Sequence, residues 1–247
     1  VHTDTTVREL ARSGPAGTVS GTGWNLVVGS TRDARVMHAD AVLLATPARA
    51  TARLLSDVVP EAAMELARIE YASMAIVTMA FRARDVPDVS GSGFLVPPVD
   101  GRTVKATTYS FAKWDWVRAA GREERSGSAG DVLVLRCSIG RHREERILQV
   151  EDADLVQAAL EDLADAIGLS VRPVDVHVQR WGGALPQYAV GHLERVARIR
   201  SAVAAVPGLA VCGAAYDGLG IPACIASAER AATQVLSGLA GLAESTP

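Results

Sequence analysis

The stretch best suited to chemistry lies near the C-terminus, from Gly208 to Arg230. The short apolar run Leu209–Cys212 predicts a buried strand, and Gly213 and Gly218 predict a turn behind it. Pro222 stands where proline commonly begins a helix. This order of strand, glycine loop and helix places unpaired N–H groups and the positive end of a helix dipole beside a turn that a ligand can approach closely. Such a turn could stabilise negative charge that develops on a ligand.

A second interpretation of this stretch is an ordinary strand-to-helix connection, in which the glycines serve geometry alone. A Gly-x-Gly-x-x-Gly fingerprint, which holds the pyrophosphate of a dinucleotide, does not occur in the sequence. The nearest match, Gly21-Thr22-Gly23-Trp24, lacks the third glycine and predicts no following helix. The local pattern leaves both interpretations open.

The composition describes a folded protein with a sizeable core. The chain has 247 residues, of which 49% are hydrophobic and 21% charged, and its formal net charge is -3. The mild negative charge argues against a nucleic-acid partner. The three cysteines are scattered, which indicates buried thiols in a reducing compartment. Because no run of about 18 apolar residues is present, we expect a cytoplasmic protein, and peripheral contact with a membrane stays open.

Hydrophobic periodicity predicts two kinds of sheet, and hence a mixed α/β fold class with α+β character. The nearly unbroken apolar run within Asp40–Pro47 is typical of a parallel strand covered on both faces. Between residues 75 and 138, several segments alternate apolar and polar residues as in a half-buried antiparallel sheet. The clearest helix is predicted over Asp152–Ile167, with Gly168 just past its end. A polar loop is predicted over residues 121–130.

Two motifs, in this order and at this separation, carry a resemblance to a known family. The first is Arg180–His192, with the sequence RWGGALPQYAVGH, and the second is Gly213–Pro222, with the sequence GAAYDGLGIP. Together with Ala39–Pro47 and the Lys113-Trp114 pair, they make the chain similar to the bacterial oxygen-dependent porphyrinogen oxidases of heme biosynthesis. These are protoporphyrinogen oxidase and the related coproporphyrinogen III oxidase. The resemblance covers essentially the whole chain and corresponds to the C-terminal half of the family.

The resemblance implies the two-domain fold of the amine oxidase and porphyrinogen oxidase flavoproteins. On this basis residues 1–50 and 181–247 belong to the FAD-binding domain, and residues 51–180 form an antiparallel substrate-binding domain. The family's dinucleotide fingerprint lies in the half that this chain does not resemble, so we expect the isolated chain to bind FAD weakly or not at all. We also expect exposed apolar strand faces to favour a homodimer.

The resemblance carries flavin contacts onto five positions. Val7 matches a valine whose backbone meets the adenine, and Trp181 matches a tryptophan near the isoalloxazine ring. Leu219, Gly220 and Ile221 match the backbone segment at the pyrimidine edge of the flavin. The alternative for Val7 is an ordinary strand residue, and for Trp181 a core aromatic.

The implied reaction is the oxidation of a porphyrinogen, either coproporphyrinogen III or protoporphyrinogen IX, by hydride loss to the flavin. Oxygen is the final acceptor and hydrogen peroxide the product. Because the cofactor performs the difficult step, we predict no catalytic side chain and no metal. The propionates of the substrate need cationic partners. The candidates on or beside the predicted substrate sheet are Lys105, Lys113 and Arg136, with solvated surface charges as the alternative.

Two other hypotheses stay open. One is a related flavin oxidase that acts on an amine or a polyene. The other, from a different class, is a flavin-free and catalytically silent fragment that serves as an interaction module. The missing fingerprint favours the latter.

Overall fold

A computed structural model of the protein describes residues 1–14, 23–123 and 131–244. The strands are β1 (Val7–Arg12), β2 (Trp24–Ser30), β3 (Asp33–Ala39), β4 (Val42–Leu44), β5 (Tyr71–Arg82), β6 (Gly93–Leu95), β7 (Val104–Thr108), β8 (Val132–Ile139), β9 (Asp175–Pro186) and β10 (Leu209–Val211). The helices are α1 (Ala48–Leu55), α2 (Pro60–Ala67), α3 (Ser110–Lys113), α4 (Asp115–Glu123), α5 (Asp152–Ile167), α6 (His192–Ala204) and α7 (Ile221–Glu244). This mixture of helices and sheets confirms the predicted fold class.

The chain divides into two compact units, one formed by residues 1–70 with 186–247 and the other by residues 71–185. The boundaries expected from the resemblance, at 50 and 180, differ from these. Helix α2 packs on α6, where Arg198 donates hydrogen bonds of 2.9 and 3.1 Å to Glu65. Helices α1 and α2 therefore belong with the C-terminal helices, and β9 carries the middle sheet on to Leu185.

In the first unit, β4 and β10 pair in parallel, with Leu209 opposite Val42 and Val211 opposite Leu44. The parallel strand predicted from the apolar run is thereby confirmed. The three residues of β10 are buried, whereas Leu43 in the middle of β4 is 41% exposed. The cover expected on both faces of β4 is thus incomplete in this chain.

The first unit also contains an antiparallel sheet in the order β1-β2-β3. Trp24 begins β2 and is fully buried. No helix follows Gly23, as expected for the rejected fingerprint, whose first two residues lie outside the described part of the chain. Within the described residues β1 is an edge strand, so part of its backbone is not used in sheet pairing.

The second unit is built on a five-stranded sheet in the order β6-β7-β8-β5-β9. Strand β8 pairs antiparallel with both β5 and β7, which confirms the predicted antiparallel sheet. Because side chains alternate along a strand, the sheet has two different faces. One face carries Val77, Met79 and Leu135 into a core with Leu155 and Leu163 of α5.

The helices of the second unit were predicted unevenly. Helix α5 has the expected bounds, and Gly168 follows it with a left-handed φ of 71°. Helices α3 and α4 were not predicted. The loop expected over residues 121–130 is wrong at its start, since α4 continues to Glu123, and residues 124–130 lie outside the described part of the chain.

Within residues 1–14, 23–123 and 131–244, none of the helices has the length and apolar character that crossing a bilayer requires. Those residues also hold no group of three or more His, Cys, Asp or Glu side chains that could bind a metal ion. All three cysteines are free, and burial raises the pKa of the Cys137 thiol to about 12. Cys137 is therefore a packing residue rather than a nucleophile.

Candidate functional site

In the first unit, the candidate site is the loop between β10 and α7. Strand β10 is buried, whereas the residues at the start of α7 are open, with Leu219 45% and Ile221 77% exposed. Helix α7 begins without an acidic side chain in its first turn. Its unpaired N–H groups and dipole are therefore available to a ligand that carries negative charge. The predicted order of strand, glycine loop and helix is confirmed.

Two glycines allow this loop to lie against α7. Gly213 has a φ of 114° and donates its N–H to Ser227 Oγ at 3.3 Å. Gly218 has a φ of 152°, and a Cβ atom built on it would lie 2.9 Å from the Cβ atom of Ala223. An L side chain at position 218 would need both a rarely adopted backbone conformation and a shift of the first turn of α7.

Replacing Gly218 with alanine should lower the free energy of unfolding by about 1 kcal/mol, because of the backbone strain and the contact with Ala223. Urea unfolding measures this difference. Gly238→Ala within α7 is the control, since nothing lies within 4 Å of the added Cβ atom. It should stabilise the protein by about 0.5–1 kcal/mol, as expected for glycine replaced within a helix. Equal effects of the two substitutions would contradict the close packing of this loop.

Asp217 fastens the same loop to two helices. Arg200 of α6 donates hydrogen bonds to both carboxylate oxygens, one of them 2.8 Å long, and Arg230 of α7 donates another. These hydrogen bonds, led by that from Arg200, lower the pKa of Asp217 to about 2. The Tyr188 hydroxyl group also donates to the carbonyl oxygen of Ala214. The loop is thus held by polar contacts that cross from α6 to α7.

In the second unit, the candidate site is a cavity of about 700 Å³ on the sheet face opposite α5. This volume is typical of small-molecule sites. The floor is formed by β5 and β8, and α3 and α4 stand beside it. Its lining is mostly apolar and consists of Ala80, Ser110, Trp114, Trp116, Val117, Ala120, Gly121, Val132, Val134, Arg136, Val174 and Asp175.

Trp114 brings two of the predicted substrate cations together. The Lys113 ammonium group lies 5.0 Å from the centre of the Trp114 ring, and the Arg136 guanidinium group lies 5.5 Å from it. Both distances are within the range of cation–π attraction. Lys105 is elsewhere, half-buried at a register shift of β7 and outside the cavity lining. Burial and nearby Arg141 lower the pKa of Lys105.

The two remaining predicted flavin contacts lie in different units. Val7 is half-buried in β1, opposite Val28 of β2. Trp181 lies in β9 of the second unit and is 52% exposed, so it is not a core aromatic. The three contiguous residues Leu219, Gly220 and Ile221 lie in the first unit, where β10 leads into α7.

The sequence of residues 1–236 matches the model of the flavin-containing amine oxidoreductases. The chain belongs to this family. Curated relatives of this chain include coproporphyrinogen III oxidases. A coproporphyrinogen III oxidase of Mycobacterium tuberculosis is 40% identical over 206 residues, which are 82% of this chain and 41% of the relative. The resemblance inferred from the two motifs is therefore confirmed.

Solved structures share the fold of this chain. A protein from Exiguobacterium that is named after protoporphyrinogen oxidase has 31% identity and a TM-score of 0.72, over 95% of this chain and 46% of that protein. The cyclohexylamine oxidase of Brevibacterium oxydans reaches a TM-score of 0.66 over 95% of this chain and 48% of its own, at 15% identity, which shows a common fold alone. This chain spans less than half the length of each of these relatives.

The predictions from sequence missed several residues of the two candidate sites. Trp116 and Val117 of α4 line the cavity, and the Asp217 contacts hold the loop. The one available signal was the cluster of two tryptophans at positions 114 and 116, which is unusual in a chain with four tryptophans. The lining residues otherwise come from segments that are distant in sequence.

Proposed function

We propose that this chain forms the C-terminal share of an FAD-dependent porphyrinogen oxidase, with coproporphyrinogen III as the favoured substrate and protoporphyrinogen IX as the alternative. Oxygen would be the acceptor and hydrogen peroxide the product. The observation that carries this proposal is the 40% identity to a coproporphyrinogen III oxidase over 82% of the chain. The apolar cavity with a cation in its wall supports it, because the substrate is an apolar ring with carboxylate side chains.

The residues present fit a flavin. When bound, FAD would supply the acceptor for a hydride that the substrate loses. The open segment Leu219–Ile221, at the start of a helix without an acidic side chain in its first turn, suits the electron-rich pyrimidine edge of the ring. On the edge strand β1, the backbone of Val7 suits an adenine, and the exposed indole of Trp181 suits a flat ring. These five contacts are proposals.

The side chains of this chain would then bind and orient the reactants rather than transfer protons. The Asp217 contacts keep the loop in one conformation, and the tryptophans and valines of the cavity exclude water from an apolar ring.

A chimera tests the proposal. The part of the mycobacterial relative that this chain does not match is fused to the 247 residues. We expect the purified chimera to contain FAD in stoichiometric amount and to convert coproporphyrinogen III to the fluorescent porphyrin in air. The isolated chain should contain little or no FAD, because it lacks the fingerprint that holds the pyrophosphate.

The chimera also separates the competing hypotheses. If it holds FAD but yields no porphyrin from either porphyrinogen, the proposed activity is wrong, and turnover of amines instead would favour an amine oxidase. Stoichiometric FAD in the isolated chain would contradict the expected weak binding. A chain that folds but gives no flavin binding in either form would favour the silent interaction module.

Four further expectations remain predictions that belong to this proposal: the use of oxygen, a cytoplasmic location, peripheral membrane contact and a homodimer. The free cysteines support a reducing compartment. The exposed apolar side chains of Leu43, Ile221 and Ile225 support either a homodimer or coverage by another part of the protein.

A further inference from the structure

Arg136 occupies a central position on the open face of the sheet in the second unit. Strand β8 is the middle strand of five, and Arg136 lies opposite Thr78 of β5 and Thr108 of β7. Its side chain forms part of the wall of the 700 Å³ cavity, among valines and tryptophans. Arg136 is exposed to this open face, so its guanidinium group is accessible to a ligand that enters the cavity.

In the part of the chain that the structure describes, no carboxylate pairs with Arg136. Several other described arginines form ion pairs, such as Arg180 with Asp152, but Arg136 and Lys113 form none. Asp175 lines the same cavity without pairing to Arg136. The described lining thus carries one cation and one carboxylate that do not pair, and Lys113 adds a second cation over the ring of the lining residue Trp114.

Trp114 orients these two cations. Stacking over an aromatic ring restrains a guanidinium group through one of its flat faces, and the N–H donors at its edge remain available. Those donors match a carboxylate in shape as well as charge. Lys113, on the same indole, adds a second positive charge nearby. The arrangement suits a carboxylate at the end of a short flexible side chain whose apolar body lies on the cavity wall.

We propose that Arg136, supported by Trp114 and Lys113, binds a propionate carboxylate of the tetrapyrrole and fixes how the ring enters the cavity. This inference rests on the proposed function for the identity of the ligand. It assigns substrate recognition to two of the three predicted cations. It leaves Lys105 out because Lys105 neither lines the cavity nor lies over the Trp114 ring.

The test is porphyrin binding to the 247-residue chain, since every lining residue belongs to residues 71–185. The probes are coproporphyrin III and its tetramethyl ester, which has the same ring but no free carboxylate. Quenching of tryptophan fluorescence measures affinity. We expect the wild type to prefer the acid, and Arg136→Gln to weaken binding of the acid by about tenfold or more while leaving the ester unchanged.

Three variants complete the experiment. Lys113→Gln should weaken acid binding less than Arg136→Gln, because an ammonium group lacks the planar pair of donors. Arg136→Lys should recover part of the loss. Exposed Arg146, which is outside the cavity, provides the control Arg146→Gln, with no expected change. Circular dichroism confirms that each variant is folded.

The outcomes distinguish this inference from the proposed function. If the wild type binds acid and ester equally, or if Arg136→Gln binds the acid as tightly as the wild type does, the carboxylate site is wrong, whatever the chimera does. The chimera could fail to oxidise either porphyrinogen while the wild-type chain prefers the acid and Arg136→Gln loses that preference. This outcome would support the carboxylate site and contradict the proposed activity.

Discussion

Leu163→Ala should lower the free energy of unfolding by about 3 kcal/mol. Leu163 is fully buried on the face of α5 that packs against the five-stranded sheet. Alanine would leave a cavity in this core, and the surrounding side chains can fill it only in part. Urea or thermal unfolding followed by circular dichroism measures the loss.

The control for this substitution lies on the other side of the same helix. Glu161→Ala removes an exposed side chain that accepts a hydrogen bond from Gln157, and we expect a change within about 0.5 kcal/mol. Asp162, between the two positions, accepts the Val104 N–H at 2.7 Å and so holds α5 onto β7. Equal losses for Leu163→Ala and Glu161→Ala would contradict the packing of α5 against the sheet.

The same substitution has a consequence for the cavity. Leu163 lies behind the sheet, whereas Arg136 and the cavity lie on the opposite face. Porphyrin affinity measured well below the unfolding temperature should therefore stay close to that of the wild type. A sheet with one face for stability and one for binding lets the two properties be changed separately.

The elements that were predicted well from the sequence are those indicated by residues within a single short segment. The bounds of α5 follow from a helical repeat of apolar residues and from Gly168, and the parallel strand β4 follows from an unbroken apolar run. Both signals lie within one segment. The glycine loop and the start of α7 were predictable for the same reason.

Helix α4 was missed because its sequence contains a glycine near its end, where a glycine indicates a loop. The structure gives the reason for that residue: a Cβ atom on Gly121 would lie 2.1 Å from the carbonyl oxygen of Val132. The helix approaches β8 so closely that only glycine fits. Packing between distant segments, and not helix propensity, selected the residue.

The domain boundary and the cavity depend on contacts between distant residues. Glu65 accepts a hydrogen bond from Arg198, which is 133 positions later in the sequence. The sequence patterns within α1 and α2 do not indicate to which of the two units these helices belong. The cavity likewise combines residues from β5, α3, α4, β8 and the start of β9. Single-sequence patterns describe each segment but carry no information on these pairings.

Asp217→Asn should lower the free energy of unfolding at neutral pH by about 1–2 kcal/mol after allowance for solvent screening. The carboxylate is the partner of Arg200 and Arg230, and asparagine would leave both cations without a counter-charge. Because the loop that it fastens contains the proposed flavin segment, the chimera with this substitution should also retain less FAD. Urea unfolding and the flavin content of the purified protein measure the two effects.

The pH dependence of this stability difference shows whether the charge of Asp217 causes it. The pKa of Asp217 lies at about 2 in the folded protein, below its ordinary value of 3.8. A lowered pKa means that the stabilisation is fully present above pH 3.8 and is lost as the pH falls towards 2. The difference in free energy of unfolding between wild type and Asp217→Asn should therefore be constant from pH 7 to about 5 and should shrink below pH 4.

Exposed Asp40 in the same unit provides the control Asp40→Asn, for which we expect a difference near zero at every pH. A difference for Asp217→Asn that stays constant down to pH 3 would contradict stabilisation by charge, because protonation of Asp217 in the unfolded chain should already have reduced the difference there.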